Sequence, residues 1–252
     1  MKKIISIISF LISLPICATL HHIYTIKEVI EHINECKTLV VFDIDNTLLH
    51  PKTDLGSDQW FTHLVHHHVS KGCDIEKAIN QVLPVYRHVN HHIDLIPTEP
   101  DLADTVAIIK EKSDMVMCLT ARSMPLAEVT HAQLQKNNLH FHVPYVITHQ
   151  PQLKHPWLHL HGVVYGGNNN KGEVLFAFLE SVQYHPERVI IIDDKEKNLQ
   201  AIKTACEQRS IECIALRYAG CDARVSEFDH HETEKELDLF LRDKPLIVAE
   251  CS

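Results

Sequence analysis

Three short runs of almost wholly apolar residues constrain this chain most: Thr38–Phe42 (TLVVF), Met115–Leu119 (MVMCL) and Val189–Ile192 (VIII). Each stops on a polar group, at Asp43, Thr120 and Asp193. A run without polar alternation reads as a strand buried on both faces. Ile211–Leu216 reads as another strand, and Gly162–Tyr165 as a weaker one. Helical patterns fall between them. One is expected from a Thr98 N-cap to about Lys112, and another after Ser123, with Pro125 early in it. Gly172–Val182 and Glu196–Arg209 have helical apolar spacing. Strands alternating with helices predict an α/β fold: a parallel sheet with helices on both faces. In such folds functional groups gather at the carboxyl ends of strands. Asp43, Thr120 and Asp193 all fall there.

Residues 50–96 break the alternation. Two helices are expected, around Asp58–Ser70 and Asp74–Val89, separated by Lys71-Gly72. An insertion after the first strand stands above the strand ends as a cap. A second irregular stretch, Phe141–Gly167, is rich in Pro and His and is expected to hold a short hairpin. The acidic stretch Glu227–Asp243 reads as partly helical and carries no motif.

At the N-terminus, Lys2 and Lys3 precede an apolar run, Ile4–Ile16, and then Cys17-Ala18. This is the pattern of a secretory signal peptide over residues 1–18. The run is short of the roughly 20 apolar residues that a membrane span needs. No later segment reaches that length, so no span is expected in the mature chain, and the expected location is exported, periplasmic or secreted. Cleavage after Ala18 removes two lysines and no acid, taking the formal charge from −9 to −11. That charge argues against a nucleic-acid partner. All 21 His follow Ala18. Unperturbed His titrates near pH ~6.5, so mild acid reverses the sign of the protein and favours an anionic substrate, and an acid optimum is expected. Of the cysteines, Cys118 reads as a core residue and Cys206–Cys213 as a candidate disulfide.

Four motifs carry chemistry. In Asp43-Ile44-Asp45-Asn46-Thr47, two carboxylates just past a strand can face one pocket. One can attack phosphorus, and the other can protonate the leaving oxygen and then activate water. Both anions call for a divalent cation. Thr120-Ala121, at a strand end, offers a hydroxyl and free N–H groups to a phosphate oxygen. Lys171, at a helix start, can neutralise a transferring phosphoryl group. Asp193-Asp194 after an apolar strand suits Mg²⁺.

Taken together and in this order, the motifs resemble the haloacid dehalogenase-like (HAD) hydrolase superfamily over residues 38–218. With the signal peptide, the likeness is to its secreted acid-phosphatase-like branch. The resemblance implies a Rossmann-like core (residues 19–49 and 97–252) with a small helical cap (residues 50–96). It implies Asp43 as nucleophile and Asp45 as general acid/base, with Thr120, Ala121 and Lys171 binding phosphate. Mg²⁺ would be held by Asp43, the Asp45 backbone carbonyl and an acid from the Asp193-Asp194 pair. Asp194 is favoured as the direct ligand and Asp193 as the group orienting Lys171 or a metal-bound water, with the reverse left open. The activity implied is Mg²⁺-dependent hydrolysis of a small phosphomonoester. A phosphotransferase shares every motif. A third reading is a His-rich exported metal-binding protein on the same scaffold, with His63, His67, His88 and His92 as ligands. Arg122, Trp60 and Tyr86 are weaker candidates for substrate contact.

Overall fold

The computed structural model describes residues 20–34 and 36–246; the expected signal peptide lies outside them. The elements run β1 (Leu20–Ile23), a 3-10 helix (Ile26–His32), β2 (Thr38–Phe42), β3 (Leu49–Pro51), α1 (Asp58–Ser70), α2 (Ile75–Asn90), β4 (Leu95–Pro97), α3 (Leu102–Lys112) and β5 (Met115–Thr120). A 3-10 turn (Met124–Leu126), α4 (Ala127–Lys136), β6 (Leu158–Leu160), β7 (Val163–Tyr165), α5 (Lys171–Ser181) and β8 (Arg188–Asp193) follow. The chain continues through α6 (Glu196–Glu207), β9 (Glu212–Tyr218), α7 (Asp222–Ser226) and α8 (His230–Asp243).

Seven strands form one sheet in the order β1-β9-β8-β2-β5-β7-β6. Every pairing in it is parallel except β6 with β7. Period-two alternation explains why the central strands are apolar throughout. Leu39 and Val41 of β2 join Met117 and Leu119 of β5 and Ile191 of β8 in one cluster, under α5 and α6. Val40, Phe42, Val116, Cys118, Ile190 and Ile192 point the other way, toward Ile26, Leu102 and Leu134. This is the expected α/β architecture, with helices on both faces of a mostly parallel sheet. Cys118 is a core residue, as read from the sequence.

The expected hairpin in the irregular stretch is β6–β7. Its turn, His161-Gly162, has φ of 51° and 74°, the paired left-handed conformation of a tight hairpin turn. β3 and β4 form a separate antiparallel ribbon that pairs Leu49 with Pro97, His50 with Ile96 and Pro51 with Leu95. Helices α1 and α2 leave and rejoin the sheet through it. They pack on each other through Trp60, Val65, Val82 and Val89, on the 3-10 turn through Leu126, and against Leu237 and Phe240 of α8.

One expected cap is corrected. Thr98 does not start α3; Asp101 is its N-cap. Pro100 disfavours helical backbone at Glu99 and delays the start. Thr98 instead donates its hydroxyl to the Thr47 carbonyl at 2.9 Å. Ser123 does precede the 3-10 turn, but its side chain makes no cap bond.

Candidate active site

The loop after β2 carries two carboxylates that turn to different partners. Asp43 N–H still donates to Ile192 O of β8 at 2.8 Å, so the strand ends with its backbone anchored. Ile44 turns into the core, and its carbonyl accepts the N–H groups of Leu48 and Leu49, both at 2.9 Å. Asn46 takes the left-handed conformation that closes the turn, with φ 58°. Asn tolerates that region better than most residues. Asp43 and Asp45 therefore flank a buried Ile44 at the carboxyl edge of the sheet.

Lys171 sits between Asp43 and Asp193, its Nζ 2.7 Å from Asp43 Oδ1 and 2.7 Å from Asp193 Oδ2. It is the first residue of α5, whose N-cap Asn170 accepts the N–H groups of Gly172 and Glu173. Asp193 is fixed further, Oδ1 accepting Lys195 N–H at 2.8 Å and Asn198 Nδ2 donating to both oxygens. Burial pulls Lys171 down, but the charges of Asp193 and Asp43 more than reverse this and hold it protonated. Burial pushes Asp43 up, and Asp193, Asp194 and Asp45 push the same way against the pull of Lys171.

Ligand oxygens of Asp43, Asp193 and Asp194 all lie within 4.8 Å of one another. Three carboxylates thus crowd the Lys171 ammonium, and the second cation that acts on Asp194, Lys195, is itself paired with Asp58. Asp194 is pushed up to about 7, by burial and then by Asp193. Its Oδ1 is buried and has no hydrogen-bond partner, while Asn46 Nδ2 lies 3.4 Å from Oδ2. An orphaned carboxylate oxygen in a site short of positive charge fits a hard divalent cation. Asp193, with both oxygens occupied, fits the orienting role instead.

Asp45 faces the other way. Arg122 Nε and Nη2 donate to its two oxygens at 2.9 and 2.8 Å, and Nη1 donates to Thr130 and Gln133. Burial pushes Asp45 up, but Arg122's charge and hydrogen bonds overcome this and leave it below its ordinary range. Arg122 is therefore the partner of Asp45, where the sequence offered it as a substrate contact. Thr120 is buried at the end of β5, and its Oγ1 accepts Arg122 N–H at 3.1 Å. That leaves the hydroxyl proton free to donate. Ala121 follows on the wall of a cavity.

Two cavities flank these groups. One, of about 370 Å³, is lined by Asp45, Ala121 and Arg122 from below and by α1 and α2 from above. The other, of about 510 Å³, is lined by Asp194, Asn46 and Lys195. Asp58, in the first turn of α1, lines both and binds Lys195 Nζ at 2.5 Å. Trp60 is buried, 1% exposed, in the packing of the helical pair, while Tyr86 reaches the first cavity.

The four His do not converge. His63 stacks on His230 at 4.7 Å, while His88 and His92 pack on Phe240 at 5.6 and 5.9 Å. Among the described residues the one group with metal-ligand spacing is the carboxylate trio. The helix-face spacing was right, but the faces turn toward different parts of α8. Reasoning from the sequence missed the pairing of Arg122 with Asp45, Asn46 beside Asp194, and Lys195 with Asp58. Their sole signal was adjacency to the motifs.

The family described as "Protein of unknown function (DUF2608)" matches residues 19–243. A Chlamydia trachomatis protein provisionally named as an outer membrane protein is 24% identical over 222 residues, spanning 85% of this chain and 83% of its own. An uncharacterized protein of Rickettsia prowazekii is 22% identical over 232 residues, spanning 86% and 82%. Among solved structures, a haloacid dehalogenase-like hydrolase from Streptococcus pneumoniae gives TM-score 0.42 at 14% identity, covering 81% of this chain and 98% of its own. The class C acid phosphatase from Bacillus anthracis gives 0.34 at 10% identity, covering 85% and 82%.

Proposed function

We propose that this chain, which belongs to the DUF2608 family, is an exported Mg²⁺-dependent phosphomonoester hydrolase working through an aspartyl-phosphate intermediate. The observation that carries the reading is the convergence of Asp43, Lys171, Asp193 and Asp194 at one sheet edge, with Asp45 and Thr120 beside them. Asp43, Asp194 and the Asp45 backbone carbonyl would hold Mg²⁺. When bound, the ion supplies charge stabilisation to the transferring phosphoryl group.

In the first half-reaction an Asp43 carboxylate oxygen attacks phosphorus, and the bond to the leaving oxygen breaks. Asp45 gives that oxygen its proton. The Thr120 hydroxyl and Ala121 N–H hold phosphoryl oxygens, and Lys171 neutralises charge. In the second half, Asp45 takes a proton from water, which attacks phosphorus and frees Asp43. The pairing with Arg122 favours the base form of Asp45 that this second half uses. The 50–96 insertion acts as a cap that shields the chemistry from bulk water.

Export fits the N-terminal sequence and the outer-membrane naming of chlamydial relatives. No described helix is long and apolar enough to cross a membrane.

The test is phosphate release by residues 19–252 from a panel of phosphomonoesters between pH 4.5 and 8, with Mg²⁺ or EDTA. Release that requires Mg²⁺ and vanishes in Asp43→Asn is expected. Release that survives Asp43→Asn would sink the assignment of the nucleophile. Addition of glycerol separates hydrolase from phosphotransferase by whether phosphoglycerol forms.

A further inference from the structure

The cavity beside Asp45 carries a charge imbalance that the chemistry above leaves unused. Its lining holds four charged groups, Asp45, Arg122, Asp58 and Arg87, while Lys195, the partner of Asp58, lies outside it. Asp45 is paired with Arg122, and Asp58 with Lys195. Those pairs cancel. The remaining group is Arg87, in the last turn of α2. Its Nε donates to Ser123 Oγ at 3.2 Å, and among the described residues its two Nη groups reach no carboxylate. Ser123 is free for this because its side chain caps nothing. Burial alone acts on the guanidinium, pulling it down, as expected of a cation without a counter-charge.

The lining surface is mainly apolar, with Phe61, Leu83, Met124 and Pro125 contributing to it alongside Arg87 and Asp45. The volume, about 370 Å³, suits a small organic molecule. Its position fixes which part of a substrate enters. A general acid must touch the leaving oxygen, and Asp45 lines this cavity. Asp194 faces the other one. On the hydrolase reading, then, this is the side on which the leaving group lies.

We propose that this cavity receives the leaving group of the substrate, and that Arg87 binds a second anionic group carried on it, a carboxylate or a phosphate, across an apolar body. The inference rests on the hydrolase reading for the words "leaving group". The anion site itself rests on Arg87, Ser123 and the cavity. A guanidinium held by one nitrogen keeps two others for a bidentate contact with either anion. Holding the far end of the substrate also positions the near end against Asp43 and Asp45.

The experiment compares phenyl phosphate with 4-carboxyphenyl phosphate and 1,4-phenylene bisphosphate, on the unaltered protein, Arg87→Gln and Arg87→Lys. In parallel, calorimetry compares binding of benzylphosphonate with 4-carboxybenzylphosphonate and 1,4-xylylene bisphosphonate, which needs no turnover. The expected result is a preference of about tenfold or more for the doubly charged member of each set, in kcat/KM and in affinity. Arg87→Gln should bring that ratio to near unity, and Arg87→Lys should keep part of it. The two charged members separate carboxylate from phosphate recognition. No preference in either assay, or a preference that survives Arg87→Gln, overturns the proposal. Hydrolysis of all three esters without preference would leave the hydrolase reading intact and remove the anion site. An Arg87-dependent binding preference without any hydrolysis would do the reverse. Should Arg87→Gln fail to fold, Ser123→Ala, which unties the guanidinium, must still lower the ratio.

Discussion

Arg122 meets the carboxylate of Asp45 edge-on, with Nε to Oδ2 at 2.9 Å and Nη2 to Oδ1 at 2.8 Å. The guanidinium side chain is 2% exposed and the carboxylate 17%. Removing one member of such a pair strands the other. Arg122→Met is expected to cost about 3 kcal/mol of stability near neutral pH. Urea unfolding of Arg122→Met, Asp45→Asn and the double variant checks it. A coupling energy below about 0.5 kcal/mol would mean that the two act independently.

The same pair bears on rate. Arg122 favours the ionised form of Asp45, so on the proposed mechanism protonating the leaving oxygen is the harder half of the reaction. At pH 7, 4-nitrophenyl phosphate should outpace an alkyl phosphate by about 10²-fold or more, because nitrophenolate leaves without a proton. The gap should narrow toward pH 5. Equal rates for both esters at pH 7 would show that proton delivery does not limit turnover.

Asp193 and Asp194 are expected to fail differently. Asp194 has the free oxygen, so Asp194→Asn should weaken Mg²⁺ binding by about 10–100-fold. Asp193→Asn should leave Mg²⁺ affinity nearer the original and lower kcat, because it releases Lys171. Calorimetric Mg²⁺ titration of both variants, beside steady-state rates at saturating Mg²⁺, separates them. The opposite pattern would exchange their roles.

Gly172 follows Lys171 where α5 touches α6. A Cβ there would come within 2.4 Å of the Ala201 carbonyl oxygen and 2.9 Å of Ala205 Cβ. Gly172→Ala should destabilise the fold by about 1–3 kcal/mol and displace Lys171 with the start of its helix. Ala201→Gly should not rescue it, since the collision is with backbone. Thermal unfolding of the single and double variants decides the point.

His159 provides an acid weakness. Burial, followed by His161 and His142, pushes it down to about 4, against an ordinary 6.5. The folded state binds this proton more weakly than the unfolded chain does. The stability it protects is complete above pH 6.5 and is lost as pH falls toward 4. Because the ring is partly exposed, the loss should be about 1–2 kcal/mol rather than the full shift. His159→Phe should remove it. If unfolding free energies of the two proteins stay a constant distance apart from pH 7.5 to 4.5, the ring is not desolvated.

The central sheet was legible because β2, β5 and β8 are apolar on both faces, the pattern of a doubly covered strand, and turn or helix signals bound each run. The motif acids were legible because they sit where those runs stop. β1 was not, since Leu20-His21-His22-Ile23 is an edge strand largely facing water and lacks an apolar stripe. The β3–β4 ribbon was hidden because its strands are three residues long and both hold proline. Arg122 and Asp45 lie 77 residues apart, and no local pattern links them. The His pairs show the converse: i,i+4 spacing placed them on one helix face, but what that face meets is decided by α8.

The ribbon that pairs His50 with Ile96 gives the insertion adjoining points of departure and return. Antiparallel partners lie only about 5 Å apart, so the core sees residues 52–94 as a detour whose ends already meet. Its ends can stay fixed while its length changes, but the helices it carries also pack on Leu126 and on Leu237 and Phe240 of α8. A chimaera joined at Pro51 and Leu95 would therefore have to carry over, or replace, the contacts of the insertion with Leu126, Leu237 and Phe240 and the pair of Asp58 with Lys195.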